Sequence, residues 1–187
     1  MSKPSYPLRT ERLALRPFTD DDLDALFEMQ NGEEMTRYLY AEPRTRDEMR
    51  EQLQRLEQMT AIDEEADSIR LAAVLRESGV VVGDISLWRT SREHATCELG
   101  YVLHPNHYGH GYATEAGAAL LRLGFEDLGM HRIVATADAR NVASIRVMQR
   151  LGMRSEAHLR ENEFIKGEWT DEVIYAMLQA EWLARAG

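Results

Sequence analysis

The chain has 187 residues, 44% of them hydrophobic and 29% charged, the size and balance of one folded domain with a buried core. No apolar run approaches the roughly 18 residues that span a bilayer, and the opening MSKPSYPLRTERL lacks the apolar stretch of a signal peptide, so a cytoplasmic protein with no membrane partner is expected. The net charge is −10, and the stretch from Asp20 to Asp67 holds 16 acids against 5 bases, which leaves no basic face for nucleic acid.

Leu13 to Phe18 reads as a short strand, and Thr19 caps a helix whose face carries Leu23, Leu26 and Phe27. Thr45 with Glu48 forms a capping box ahead of Met49, Leu53 and Leu56, which predicts a second helix over 46–59. The acidic surface of these two helices reads as a solvated face that would also suit a basic acceptor. Residues 69–76 and 80–88 flank the turn Glu77-Ser78-Gly79 as a hairpin. A further strand, Ala95 to Leu103, stops before Pro105, which has no N–H for a ladder. It carries the single cysteine, Cys97, so an intramolecular disulfide framework is excluded and packing is the expected role of that thiol.

Residues 112–128 read as a helix ending at Gly129, His131 to Ala137 as a strand, Val142 to Leu151 as a helix closed by Gly152, and Asp171 to Leu178 as a last strand. The segment Glu161-Asn162-Glu163 reads as exposed loop. This order gives a mixed α/β or α+β class.

The segment His107-Tyr108-Gly109-His110-Gly111-Tyr112-Ala113-Thr114-Glu115-Ala116 leaves a strand and enters a helix. Two glycines let the backbone bend tightly, and the first helical N–H groups lack intrahelical partners while carrying the positive end of the dipole. A phosphate placed there satisfies several donors at once. A plain strand-to-helix turn accounts for the same glycines. A dinucleotide fingerprint does not fit, because Thr114 stands where its third glycine belongs, and no phosphate-loop lysine is present. Further along, Asn141 is a natural N-cap with Ser144 in the first turn behind it.

Together Tyr108-Gly109-His110-Gly111-Tyr112-Ala113-Thr114-Glu115-Ala116 and Asn141-Val142-Ala143-Ser144, with Val147 and Leu151-Gly152-Met153, resemble the GNAT superfamily of acetyl-CoA-dependent N-acetyltransferases. The opening Leu8-Arg9-Thr10-Glu11-Arg12-Leu13-Ala14-Leu15-Arg16 and the closing Gly167-Glu168-Trp169-Thr170-Asp171 are similar to its Rim-like branch, which includes enzymes acetylating ribosomal-protein N-termini. The resemblance implies one domain over 8–178, with tails at 1–7 and 179–187. Its core would be a mostly antiparallel mixed sheet with helices on both faces and a splayed pair of central strands.

It also implies a donor, acetyl-CoA, with no metal, and an amine acceptor that is a protein N-terminus or a small molecule. A homodimer is a further implication. Gly109, His110, Gly111, Tyr112 and Ala113 would hold the pyrophosphate through main-chain amides, Val102 and Leu103 would pair with the pantetheine arm, and Asn141 and Ser144 would face the pantetheine and the sulfur. Two positions depart from the superfamily. Tyr108 stands where Gln or Arg is frequent, an aromatic usual in the Rim-like branch, and Met148 stands where many members carry a tyrosine acid, a role that would pass to Ser144.

Direct attack by a neutral amine on the thioester needs a base and a donor for the developing oxyanion, here a main-chain N–H near Leu103. Strand alternation puts Thr96, Glu98 and Gly100 on one face and Cys97, Leu99 and Tyr101 on the other. Glu98 is one candidate base, since desolvation in a central strand raises a carboxyl toward neutrality; pairing with an arginine is the competing reading. Glu163 is the second candidate, aligned with a glutamate implicated as base in the Rim-like branch. His104, His107, His110 and His131 have a spacing that suggests metal, but Pro105 and two glycines interrupt the geometry. Trp88, Trp169 and Trp182 would line an acceptor cleft or pack in the core. The competing function is a noncatalytic acyl-CoA-binding sensor.

Overall fold

The apolar alternation read along the chain becomes a nine-stranded sheet in the computed structural model, which describes residues 4–31 and 43–185. Its strands are β1 (Leu8–Arg9), β2 (Leu13–Arg16), β3 (Thr60–Ile62), β4 (Asp67–Leu75), β5 (Val81–Ser91), β6 (Thr96–Leu103), β7 (Arg132–Asp138), β8 (Arg154–Ile165) and β9 (Glu168–Leu178). The spatial order is β1-β2-β4-β5-β6-β7-β9-β8, with β3 paired to β4. Only β6 and β7 run parallel; the other pairs are antiparallel.

The helices are α1 (Leu23–Asn31), α2 (Arg46–Leu56), α3 (Tyr112–Arg122), α4 (Val142–Arg150) and α5 (Gln179–Leu183). Thr45 and Glu48 close the capping box of α2, with the Thr45 N–H donating to Glu48 Oε2 at 2.7 Å. The α1 and α2 faces bury Leu26, Met29, Met49, Leu53 and Leu56 against Ala72 and Val74 on one side of the sheet. On the other side α3 and α4 bury Leu120, Leu121 and Met148 against Leu71, Ile85, Leu99 and Ile133. The expected helices on both faces are present. Among the described residues no helix is long and apolar enough to cross a membrane.

The parallel register of β6 and β7 covers only Thr96, Cys97 and Glu98 against Arg132, Ile133 and Val134. Beyond it the strands diverge, because β6 stays paired with β5 as far as Leu103 while β7 follows β9 to Asp138. The result is the expected splay, a gap whose vertex lies at Glu98.

Three expectations are corrected. Residues 161–163 are not loop but part of β8, an edge strand whose register slips between Ser155 and Ala157 and again between Leu159 and Glu163. Those irregularities, with Glu161 at φ 48°, break the period-2 pattern that marks a strand, and charge on an outermost strand guards its open edge. The helix expected over 112–128 is α-helical only to Arg122 and continues as a π-helical turn over Leu123–Asp127. Residues 179–183, expected as tail, form α5, which packs Trp182 against Phe125 with ring centroids 5.9 Å apart. The ends of the two expected tails, residues 1–3 and 186–187, lie outside the described residues.

Candidate active site

Gly109 and Gly111 have φ of 78° and 80°, a region costly for residues with a Cβ, and Gly111 is the N-cap of α3. A Cβ at Gly109 would meet nothing within 4 Å, and one at Gly111 would meet only Arg12 Nη2 at 3.6 Å. Open space therefore lies above the loop where the first amides of α3, from Tyr112 and Ala113 onward, have no helical partners. This cradle fits a pyrophosphate held by main-chain N–H groups.

The loop is fixed from the side by the segment between β1 and β2. Arg12 Nη1 donates to His110 O at 2.9 Å, its Nε donates to Glu115 Oε2 at 2.7 Å, and its guanidinium carbon lies 4.7 Å from the Tyr112 ring centroid. Burial acts to raise the Glu115 carboxyl, but bonds from Thr10 and Arg12 outweigh it and hold the group below its ordinary value. The His110 ring stacks on Tyr112 and hydrogen-bonds Tyr108 O at 2.8 Å. His104 Nδ1 accepts from the Asn106 N–H at 3.2 Å and caps a 3-10 turn over Pro105–His107. Among the described residues no group of three or more metal-ligating side chains converges.

From the loop the gap between β6 and β7 leads to its vertex. His104 N–H donates to Val82 O, so alternation turns the Val102 backbone toward β5 and the Leu103 and Tyr101 backbones toward the gap. Of the two residues expected to offer free backbone groups to a ligand, Leu103 is placed for it. Val102 is not, because the antiparallel ladder with β5 takes its N–H and C=O.

One wall of the gap is the N-terminus of α4. Asn141 Oδ1 accepts the Ser144 N–H at 3.0 Å, the cap read from the sequence, and this bond fixes the first turn. Tyr101 reaches across from β6 with its hydroxyl 2.9 Å from Ser144 Oγ and 3.0 Å from Ser144 O. Burial lifts the Tyr101 phenol to about 12 against a smaller opposing effect of the Ser144 bond, so it stays protonated. Met148, one turn further along α4, is 0% exposed and belongs to the core.

The opposite face of the vertex is acidic. Glu98 Oε1 accepts from the Thr136 hydroxyl at 2.8 Å; its partner is this neutral group on β7 rather than an arginine. Burial raises the Glu98 carboxyl above its ordinary value and the Thr136 bond draws it partly back. Glu172 on β9 is raised by burial first and then by the negative charges of Glu163 and Glu98. Glu163 Oε2 is buried without a hydrogen-bond partner. Glu172 thus lies within electrostatic reach of both candidate bases. Trp88, paired with Glu98 across β5 and β6 and 37% exposed, lies over Gly100, where a Cβ would come within 2.8 Å of its ring. Trp169 is exposed at the β8–β9 tip, Trp182 bonds Glu126 at 2.8 Å on the far side, and Cys97 is buried with its thiol pushed up to about 12 by desolvation.

Sequence reading missed Tyr101, Thr136, Glu172 and Arg12. Tyr101 shares its strand face with Cys97 and Leu99 and reads as packing, while Glu172 reads as one polar position in an alternating strand. Arg12 lies 98 residues from its His110 partner, and nothing local marks that contact.

The acetyltransferase (GNAT) domain family matches residues 12–154. The Bacillus subtilis protein named Uncharacterized N-acetyltransferase YnaD is 31% identical over 175 residues, covering 94% of this chain and 98% of that protein. A GNAT-family acetyltransferase structure from Bacillus anthracis is 31% identical, with a TM-score of 0.82 over 92% of this chain and 98% of that one. The spermidine N(1)-acetyltransferase of Escherichia coli K12 is 25% identical over 172 residues, covering 91% of this chain and 88% of that protein.

Proposed function

The chain belongs to the acetyltransferase (GNAT) family, and on that premise we propose that it carries the acetyl group of acetyl-CoA to a primary amine on a small cationic acceptor, a di- or polyamine. The observation that supports this acceptor is that Glu172 feels the negative charges of both Glu98 and Glu163, with Trp88 half-exposed beside Glu98. A second ammonium on the acceptor offsets negative charge at Glu172, which burial first and then Glu163 and Glu98 hold above its ordinary value, and the indole adds a cation–π wall. The likeness to a protein named for spermidine acetylation points the same way.

The donor would lie with its pyrophosphate on the amides of residues 109–113 and its pantetheine along the Leu103 edge of β6. When bound it supplies a thioester carbon at the vertex. Glu98 then takes the proton of the attacking amine, a task suited to a carboxyl lifted by burial. Thr136 fixes that carboxylate, a gap-facing main-chain N–H of β6 nearer the vertex than Leu103 would receive the negative charge developing on the carbonyl oxygen, and Ser144 receives the leaving sulfur.

A protein N-terminus is the second acceptor reading, and the acidic surface of α1 and α2 favours it through attraction for a basic polypeptide. Thiol release from acetyl-CoA measured against spermidine, shorter diamines, a neutral alkylamine and basic N-terminal peptides separates the two. Turnover confined to the di- and polyamines, with Glu172→Gln raising their KM about tenfold and leaving the acetyl-CoA KM within twofold, is the expected outcome. Turnover of peptides alone would replace this acceptor with the second. Acetyl-CoA binding without turnover of any amine would leave a sensor in place of a transferase.

A further inference from the structure

Resting on the acetyl-CoA reading above, we propose that Tyr101 is a positioning residue that aims the Ser144 hydroxyl proton at the leaving sulfur. The phenol has one proton and two acceptors within reach, Ser144 O at 3.0 Å and Ser144 Oγ at 2.9 Å. Two arrangements keep a hydrogen bond between the phenol and the serine hydroxyl. In the first, the phenol donates to the Ser144 carbonyl and the serine hydroxyl donates back to the phenol oxygen, so the pair is closed on itself. In the second, the phenol donates to Ser144 Oγ, and the serine proton turns away from Tyr101 into the gap between β6 and β7. Only the second arrangement offers a donor to a thiolate, and a thiolate in the gap favours it over the first.

The remaining freedom at Ser144 is confined to its side chain, because its N–H is held by Asn141 Oδ1 at 3.0 Å. No other hydroxyl takes this place on α4, whose next residue along the same face, Met148, is fully buried in the core. The strand therefore contributes the phenol that the helix lacks. Because burial keeps that phenol protonated, it acts as a fixed donor and does not surrender its proton. The chemistry balances without a proton passing along the pair. The new N–C bond forms, the amine proton goes to Glu98, the C–S bond breaks with its electron pair on sulfur, and the Ser144 O–H hydrogen-bonds that thiolate until it leaves and takes a proton from solvent.

The test is calorimetric binding of CoA and of acetyl-CoA to the full chain and to Tyr101→Phe, Ser144→Ala and the double variant. It is run as a pH series that reaches the ionisation range of the CoA thiol, where bound thiolate is populated. Loss of a hydrogen bond to a charged group predicts about tenfold weaker CoA binding in Tyr101→Phe, with acetyl-CoA affinity within twofold of the parent. Ser144→Ala should behave likewise, and the double variant should lose no more than either single one. In turnover, Tyr101→Phe should lower kcat about tenfold at unchanged acetyl-CoA KM, and acetyl thioesters of more acidic thiols should narrow that deficit. Equal losses for CoA and acetyl-CoA, no change in CoA binding, or additive losses in the double variant would overturn the role of Tyr101. Failure of the parent chain to bind either ligand would instead overturn the acetyl-CoA reading itself.

Discussion

The Glu98 carboxyl sits half-buried beside Thr136, raised above an ordinary value of 4.5 by desolvation and lowered part of the way by the threonine hydroxyl. A base must be ionised to act, so kcat/KM should rise with pH through this raised pKa, and the acid limb should lie above the range of a solvated glutamate. Glu98→Gln should remove that limb and lower kcat by about 10²–10⁴ while acetyl-CoA binding persists. Thr136→Val should move the limb to still higher pH, because the bond it removes favours the ionised form. A pH–rate profile of the three proteins checks both; an acid limb that stays put in Glu98→Gln would pass the role to Glu163 or Glu172. The type of residue needed was legible at position 98, since alternation alone set Glu98 apart from Cys97 and Leu99. Its partner was not, because Thr136 lies 38 residues away on a strand that meets β6 only through the tertiary fold.

Among the elements, α4 shows most directly how local chemistry positions a functional group. Asn141 caps it through the Ser144 amide, and the same bond holds the first turn against the gap. Asn141→Ala should cost about 1 kcal/mol of stability in denaturant unfolding, the usual worth of an N-cap, with a loss of turnover from a displaced Ser144. Asn141→Asp, which keeps the accepting oxygen, should restore both. Caps and boxes such as Asn141 with Ser144 and Thr45 with Glu48 could be read from the sequence because each operates within three residues. The β8 strand could not, because its two irregularities place Glu163 opposite Thr170 only after the pattern has slipped, and an edge strand carries little apolar signal.

Across the whole molecule, both helical layers are tied to the sheet by apolar packing joined by polar contacts, and for α1 the polar contact is buried at Asp84. Asp84 on β5 is 2% exposed, receives Arg70 Nε from β4 at 2.8 Å, and receives Gln30 Nε2 from α1 at 3.2 Å. Asp84→Ala leaves Arg70 without its counter-charge and should cost roughly 3–5 kcal/mol, read as a shift in the denaturant midpoint at constant slope. The sequence by itself determined the glycine turn before α3, the caps of α2 and α4, the two faces of β6 and the mixed α/β class. Each of these follows from backbone preference or side-chain period within a few neighbouring residues. Tertiary structure alone decided that β6 and β7 part at Glu98, that Glu98, Glu163 and Glu172 share one face, and that Tyr101 meets Ser144. Those contacts join residues far apart in the chain, and strand order and register, set by how the two layers pack on the sheet, bring them together.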